Sequence, residues 1–372
     1  MLQPQTVLIP DGEHELALRV IRCLAHQTEV EIHVLSTNPS APIRLSRHTS
    51  GFHVCNTGSD DHARVAAIAD AAKRTRAQVI LPVAIPTIRL VAEHRHELSA
   101  VAALPPLPTL ALLDIFDDKW LLAQLLASEN IPHPKTYSLA QDPLDLRRLK
   151  GIKFPLMVKA RTRNAGGGIC LCRNPDEVVN FLSKQNDREE FFLQEFATGQ
   201  DVDVSVLCQN GEILAYTIQR GLIPSHKPFH PPAAIEFIYD DATLQNVQRL
   251  VRAVKWSGIV HFDCIYDPKS RETKILEANP RYWRSLPGSL KAGVNFPYLA
   301  YLTAKGYEFE CPSYRSIRYA RPQAALRMLA QGWSNQGISH WHMRDFGFAE
   351  LLRDPLPDLA IQTGRVAEKL LR

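Results

Sequence analysis

The sequence predicts a mixed α/β and α+β chain whose first part is a parallel sheet with flanking helices. Three observations lead there. Strand-like and helix-like segments alternate over roughly the first hundred residues, the pattern of a parallel sheet flanked by helices. After a proline-rich stretch, LPPLPT at 104–109, strand-like segments begin to fall in neighbouring pairs. One of those pairs is joined by Asn210-Gly211, a strong hairpin signal.

In order, TVLIP (6–10) reads as a strand and GEHELALRVIRCLAH as a helix with apolar residues at helical spacing. VEIHVL is a second strand, DDHARVAAIADAAKRTRA a helix opened by acids, and QVILPVA a third strand. No G-x-G-x-x-G follows the first strand and no G-x-x-x-x-G-K-[ST] occurs, so two common phosphate-binding fingerprints are missing. Beyond the linker, DDKWLLAQLLASENIPHP is an amphipathic helix, and FPLMVKA (154–160) is a strand that runs into a glycine-rich turn. GICLCR is a strand, PDEVVNFLSKQ a helix opened by proline and acids, and FFLQEFA a strand. After the hairpin, GLIPSHKPFHPPAAIEF reads as an irregular loop. TLQNVQRLVRAVKW is a helix, GIVHFDCIYD and TKILEAN are paired strands, and FPYLAYLTAKG is a helix.

Composition sets limits on function. The chain has 372 residues, 45% hydrophobic and 22% charged, with a formal net charge of +4. That charge is too weak to argue for nucleic acid, but it suits anionic small molecules. There is no apolar run long enough for a membrane span, and MLQPQTVLIPDG has no cationic flank of a signal peptide. Seven cysteines, an odd number, are scattered, and Cys170 and Cys172 stand too close for a usual zinc pair. Reduced thiols and a cytoplasmic location are the expectation.

Three stretches carry chemistry. In KILEANPRYWRSL (274–286), Glu277 and Asn279 share one face of a strand. They either cap a turn before Pro280 or help hold a hard cation. Asp263, on the preceding strand, can lie across from Glu277, and the three oxygen ligands suit magnesium. In VKARTRNAGGGI, Lys159 ends a strand before a glycine run that is either a phosphate cover or a plain hairpin turn. In LQEFATGQD, a linker offers backbone groups to an adenine edge and Asp201 to a ribose, or is simply strand, loop and strand.

Taken in order, Lys119 on a helix, Lys159 with its glycine loop, Q-E-F-A, Asp201 and E-x-N-P-R resemble the ATP-grasp superfamily. The resemblance covers about residues 5–306, and EANPRYWRSLPGSLKAGVNFP is similar to bacterial carboxylate–amine ligases carrying N-P-R-[FY]-W-x-S-L. It implies an ATP-grasp fold. Residues 1–105 would be a Rossmann-like (pre-ATP-grasp) domain, 110–196 the small subdomain with the phosphate loop, and 197–372 the large subdomain with a C-terminal tail. It also implies roles. Lys119, Lys159 and the loop with Gly166, Gly167 and Gly168 would hold ATP phosphates. Gln194, Glu195, Phe196 and Ala197 would line the adenine, and Asp201 the ribose. Asp263, Glu277 and Asn279 would hold two Mg2+ ions, with Mn2+ as a substitute, and Arg281 would steady the transferring group.

The activity so implied joins a carboxylic acid to an amine through an acyl phosphate, releasing ADP and phosphate. The alternatives are a carbamoyl-phosphate-synthase-like enzyme acting on bicarbonate or carbamate, and a non-catalytic ATP-binding scaffold. The partners expected are small molecules, with a homodimer suggested by relatives. Arg284 stands where such relatives often carry glycine; it is either a substrate contact or a surface residue. His226, Lys227 and His230, on the proline-rich loop, either shape the substrate pocket or face solvent. His261 is expected on the strand face opposite Asp263, and His261 and Trp283 are both read as packing residues.

Overall fold

A computed structural model of the chain describes residues 5–139, 151–162, 168–225, 229–322, 324–326 and 341–370. Three sheets organise it. The first holds β1 (Gln5–Ile9), β2 (Val30–Ser36), β3 (Gly51–Val54) and β4 (Val79–Ile80) in the parallel order β3-β2-β1-β4. The second holds β5 (Thr136–Ser138), β6 (Leu156–Ala160), β7 (Ile169–Cys172) and β8 (Phe191–Glu195), antiparallel, in the order β5-β8-β6-β7. The third and largest is also antiparallel. It contains β9 (Gln200–Gln209), β10 (Glu212–Ile223), β11 (Ala234–Ile238), β12 (Gly258–Asp267), β13 (Glu272–Asn279) and β14 (Arg318–Ala320), ordered β13-β12-β9-β10-β11-β14.

Caps mark the helices. α1 (Glu15–Leu24) is capped by His14, and α2 (Asp61–Thr75) by Asp60. α3 (Ile85–Glu93) and α4 (Arg95–Ser99) follow β4, then α5 (Leu110–Asp117), capped by Thr109. α6 (Lys119–Ser128) starts at once after Asp118, whose carboxylate accepts from Trp120 N and Leu121 N. α7 (Pro175–Ser183) is capped by Asn174 with proline at its first position, and α8 (Asp241–Ala253) by Asp240. α9 (Leu286–Ala292) and α10 (Phe296–Ala304) follow β13. The β9–β10 hairpin turns at Asn210 and Gly211, with φ of 52° and 86°, as two consecutive left-handed residues require.

Several elements differ from the sequence reading. The third strand is only two residues long because the chain past Leu81 bends to give Val83 N and Ala84 N to the buried Asp11 carboxylate, at 2.9 and 3.1 Å. β3 and α5 were not expected; β3 is short and half-buried, and α5 hides in an apolar run behind three prolines. The loop after β10 is shorter than expected. Gly221–Ile223 still belong to β10, and Ala234–Ile238 form β11, paired through an Arg220–Glu236 ion pair at 2.6 Å.

The largest sheet has two unlike faces. Val202, Val204, Val206 and Cys208 of β9 pack with Val260 and Phe262 of β12 and with Leu250 and Trp256. Phe116 of α5 stacks on Trp256 (centroids 4.1 Å, 13°) and meets the Phe262 ring edge-on at 6.0 Å. Phe116→Ala should therefore lower stability by about 3–5 kcal/mol, read by denaturant unfolding. A loss below about 1 kcal/mol would show that this stack does not tie α5 to the sheet.

Candidate functional site

The other face carries rows of polar side chains. Register pairs Gln219 with Asp203, Asp203 with Asp263, and Asp263 with Glu277, one row across β10, β9, β12 and β13. The next row runs Thr217, Ser205, His261, Asn279. The expected opposition of Asp263 and Glu277 is thus met, and Asn279 Nδ2 lies 3.3 Å from Asp263 Oδ2. Arg281 gives Nη2 to Asn279 Oδ1 at 2.9 Å and Nη1 to the Tyr282 carbonyl at 2.9 Å.

Two lysines reach the same place from other elements. Asp118 ties the start of α6 to the end of β6, because its second oxygen accepts from Arg161 Nε at 2.8 Å. Lys119 N also donates to the Arg161 carbonyl, at 3.0 Å. The buried Lys119 then points Nζ at Glu277 Oε1, 3.4 Å away. Lys159 is buried too and gives Nζ to Gln194 Oε1 at 2.7 Å. Burial pulls the Lys159 ammonium down to about 8, with Glu277 and Asp263 opposing and Lys119 reinforcing. Burial raises the Glu277 carboxyl, against the pull of Lys119. At Asp263, burial is outweighed by the His261 ring and by Arg281 and Lys119, which hold the carboxyl below its usual range.

The sequence-predicted residues therefore divide as follows. Lys119, Lys159, Gln194, Asp263, Glu277, Asn279 and Arg281 come together. Gln194 lies under Lys159, where its amide is held, with Nε2 3.4 Å from Thr136 Oγ1. Glu195 ends β8 and accepts from the Tyr137 hydroxyl at 3.3 Å; Phe196 after it is partly exposed. Asp201 is exposed at the start of β9, two residues from Asp203. Gly168, at φ 70°, closes the β6–β7 turn by giving its carbonyl to Ala160 N at 2.9 Å. Gly166, Gly167, His226 and Lys227 lie outside the described residues. Arg284 pairs with Glu15 of α1 at 3.0 Å and is about half exposed. Trp283 is buried as expected.

One expectation is corrected. His261 shares its strand face with Asp263, as residues two apart must, and its Nε2 sits 3.3 Å from Asp263 Oδ1. Asp203 was missed. It lies 4.0 Å from the same nitrogen, and burial together with Asp263 pushes its carboxyl up to about 7. The alternation D-V-D-V-S in β9 was the signal available for it. The β1–α1 turn also reaches this region: His14, whose pKa is lowered by burial and by the charge of Arg281, caps α1 there. Ligands of parallel sheets bind at the carboxyl ends of their strands, where this turn stands.

Two family models match: a RimK-like ATP-grasp domain over residues 116–221, and an ATP-grasp domain "in the biosynthetic pathway with Ter operon" over 187–324. A D-aspartate ligase of Enterococcus faecium is 19% identical over 217 residues, 53% of this chain and 51% of that protein. The carbamoyl phosphate synthase large chain of Thermoanaerobacter pseudethanolicus is 24% identical over 217 residues, 55% of this chain and 20% of that protein. The chain thus spans half the length of the first of these relatives and a fifth of the second. In structure, the biotin carboxylase domain of Hydrogenobacter thermophilus 2-oxoglutarate carboxylase, a dimer complexed with MgADP and bicarbonate, superposes with a TM-score of 0.65. That match has 16% identity and covers 86% of this chain and 75% of that one. The chain has the ATP-grasp fold and belongs to the ATP-grasp superfamily. Among the described residues, no helix is long and apolar enough to cross a membrane.

Proposed function

We propose that the chain is an ATP-dependent carboxylate–amine ligase of the N-P-R-[FY]-W-x-S-L kind, joining an organic acid to an amine with release of ADP and phosphate. One observation carries this: two buried lysines and Arg281 converge on the oxygen set of Asp263, Glu277 and Asn279. Three cations facing hard oxygen donors suit a triphosphate and its metal.

The residues fit magnesium. Asp263 and Glu277 face each other across paired strands, and like charges so placed repel unless a cation stands by. Asp263, Glu277 and Asn279 would hold two ions, for which manganese would substitute; bound there, magnesium neutralises charge on the phosphates. Lys119 and Lys159 grip phosphate oxygens, and burial strengthens that grip. The Glu195 carbonyl and Ala197 N–H take the adenine edge, and Asp201 the ribose. The glycine run after Lys159 would shield the phosphates and keep water from the acyl phosphate. Arg281, held by Asn279 and its own chain, presents its guanidinium to the charge that spreads during transfer.

Arg284 and the β1–α1 turn border the space for the organic substrates. The protein acts in the cytoplasm, as a homodimer. The test is ADP release over a matrix of acids and amines, with products identified by mass. In that assay Arg284→Ala should raise KM for one organic substrate about 10–100-fold and leave the nucleotide Kd unchanged. Unchanged kinetics for every substrate would confine Arg284 to its pairing with Glu15. The carbamoyl phosphate synthase match supports a second reading, bicarbonate or carbamate as the acid. ADP release driven by bicarbonate alone would favour it.

A further inference from the structure

We propose a second cation site beside the magnesium ligands, built from Asp203, His261 and Asp263, that takes a divalent transition metal in the absence of nucleotide. It shares Asp263 with the site above but needs neither Glu277 nor Asn279, and it stands whether or not the ligase reading does.

The donor atoms of these three residues all lie within 4.8 Å of one another. His261 Nε2 is 3.3 Å from Asp263 Oδ1 and 4.0 Å from Asp203 Oδ2. An ion at about 2.1 Å from each ligand needs ligand separations of about 3.0–4.2 Å, so the three can close on one ion with little movement. All three project from one face of neighbouring strands, Asp203 directly opposite Asp263.

The histidine is set as metal-binding histidines are. Its Nδ1 lies 2.8 Å from Ser205 Oγ, and its ring stacks on Trp283 at 5.5 Å and 12°. Ser205 Oγ can serve either tautomer: with no ion bound Nε2–H donates to Asp263, and once Nδ1–H turns to the hydroxyl the Nε2 lone pair faces the two carboxylates and can meet a cation between them. Asp203 is held in turn: Gln219 Nε2 donates to its Oδ2 at 2.8 Å. Gln219 is buried, and its Oε1 has no partner among the described residues. A water carried by a bound ion is the kind of donor that acceptor calls for.

The ligand set gives the metal class. Magnesium prefers an all-oxygen octahedron; one imidazole with two carboxylates suits manganese, cobalt or zinc.

The test uses the full chain, stripped of metal and free of nucleotide. Titration with Co2+, followed by visible absorption, and with Mn2+, followed by calorimetry, should each show one ion per chain, with weak competition from Mg2+. His261→Asn and Asp203→Asn should each weaken binding about tenfold or more, and Glu277→Gln, which removes only a neighbouring charge, should weaken it less than either and keep the nitrogen coupling. Pulsed electron paramagnetic resonance of the parent with Mn2+ should show nitrogen coupling from one imidazole, which needs no variant to fold. No saturable binding without nucleotide, or binding without nitrogen coupling, overturns the proposal. So does binding that survives His261→Asn but is lost in Glu277→Gln, which would put the ion among the nucleotide's metal ligands.

Discussion

Glu277→Gln cuts ADP release about 10²–10³-fold, the loss expected when one charge that stabilises a transferring group is removed. The substitution keeps the shape of the side chain. It weakens the 3.4 Å pairing with Lys119 but also relieves repulsion from Asp263 across the strands. The two effects on the fold oppose each other, so the nucleotide-free melting temperature should move by only a few degrees in a circular dichroism melt. Normal turnover would remove Glu277 from the metal set. Failure to fold would make it a structural residue, needed to neutralise buried Lys119.

Lys159→Met should abolish tight nucleotide binding and leave a mark on stability against pH. Burial holds the folded lysine at about 8, against an ordinary 10.5. Below pH 8 the lysine is charged in both states, and the fold bears the cost of burying that charge. As pH rises from about 8 to 10.5 the folded chain has released a proton that the unfolded chain still holds, so the cost fades and stability climbs. The variant should lack that climb. Its gain at pH 7 is trimmed because Gln194 loses the partner at 2.7 Å and a buried acceptor is left unmet, at about 1–3 kcal/mol. In the parent, affinity for the triphosphate should fall above pH 8 as the ammonium discharges. Denaturant unfolding and calorimetry across pH 6–10.5 check both points. A climb of the same size in the variant would place the titration elsewhere.

How much of this could be read from the sequence follows from how local each cause is. The pairing of Asp263 with Glu277 was legible because strand alternation and a short β12–β13 connection fix it nearly alone. The Asn210-Gly211 turn was legible for the same reason: its left-handed residues are written in the dipeptide. β11 was not, because four prolines nearby hide a strand whose pairing is set by Arg220 and Glu236, sixteen residues apart. Gln194 read as an adenine neighbour, but its side chain answers to Lys159, on the strand beside it. The partner of Arg284 is Glu15, 269 residues earlier, and no local pattern announces such a pair. His261 was a different failure. Period two already placed it beside Asp263, and the information was there to be used.

The most direct test of the central claim is trapping with hydroxylamine. The chain is supplied with MgATP, each of a panel of carboxylic acids, and hydroxylamine in place of the amine. If a carboxylate is activated as an acyl phosphate, one acid should support ADP release matched mole for mole by its hydroxamate, detected by mass. Both products should fall about 10²–10³-fold with Glu277→Gln. ADP release that yields a stable phosphate ester and no hydroxamate, or that proceeds at the same rate with no acid present, would contradict the ligase assignment.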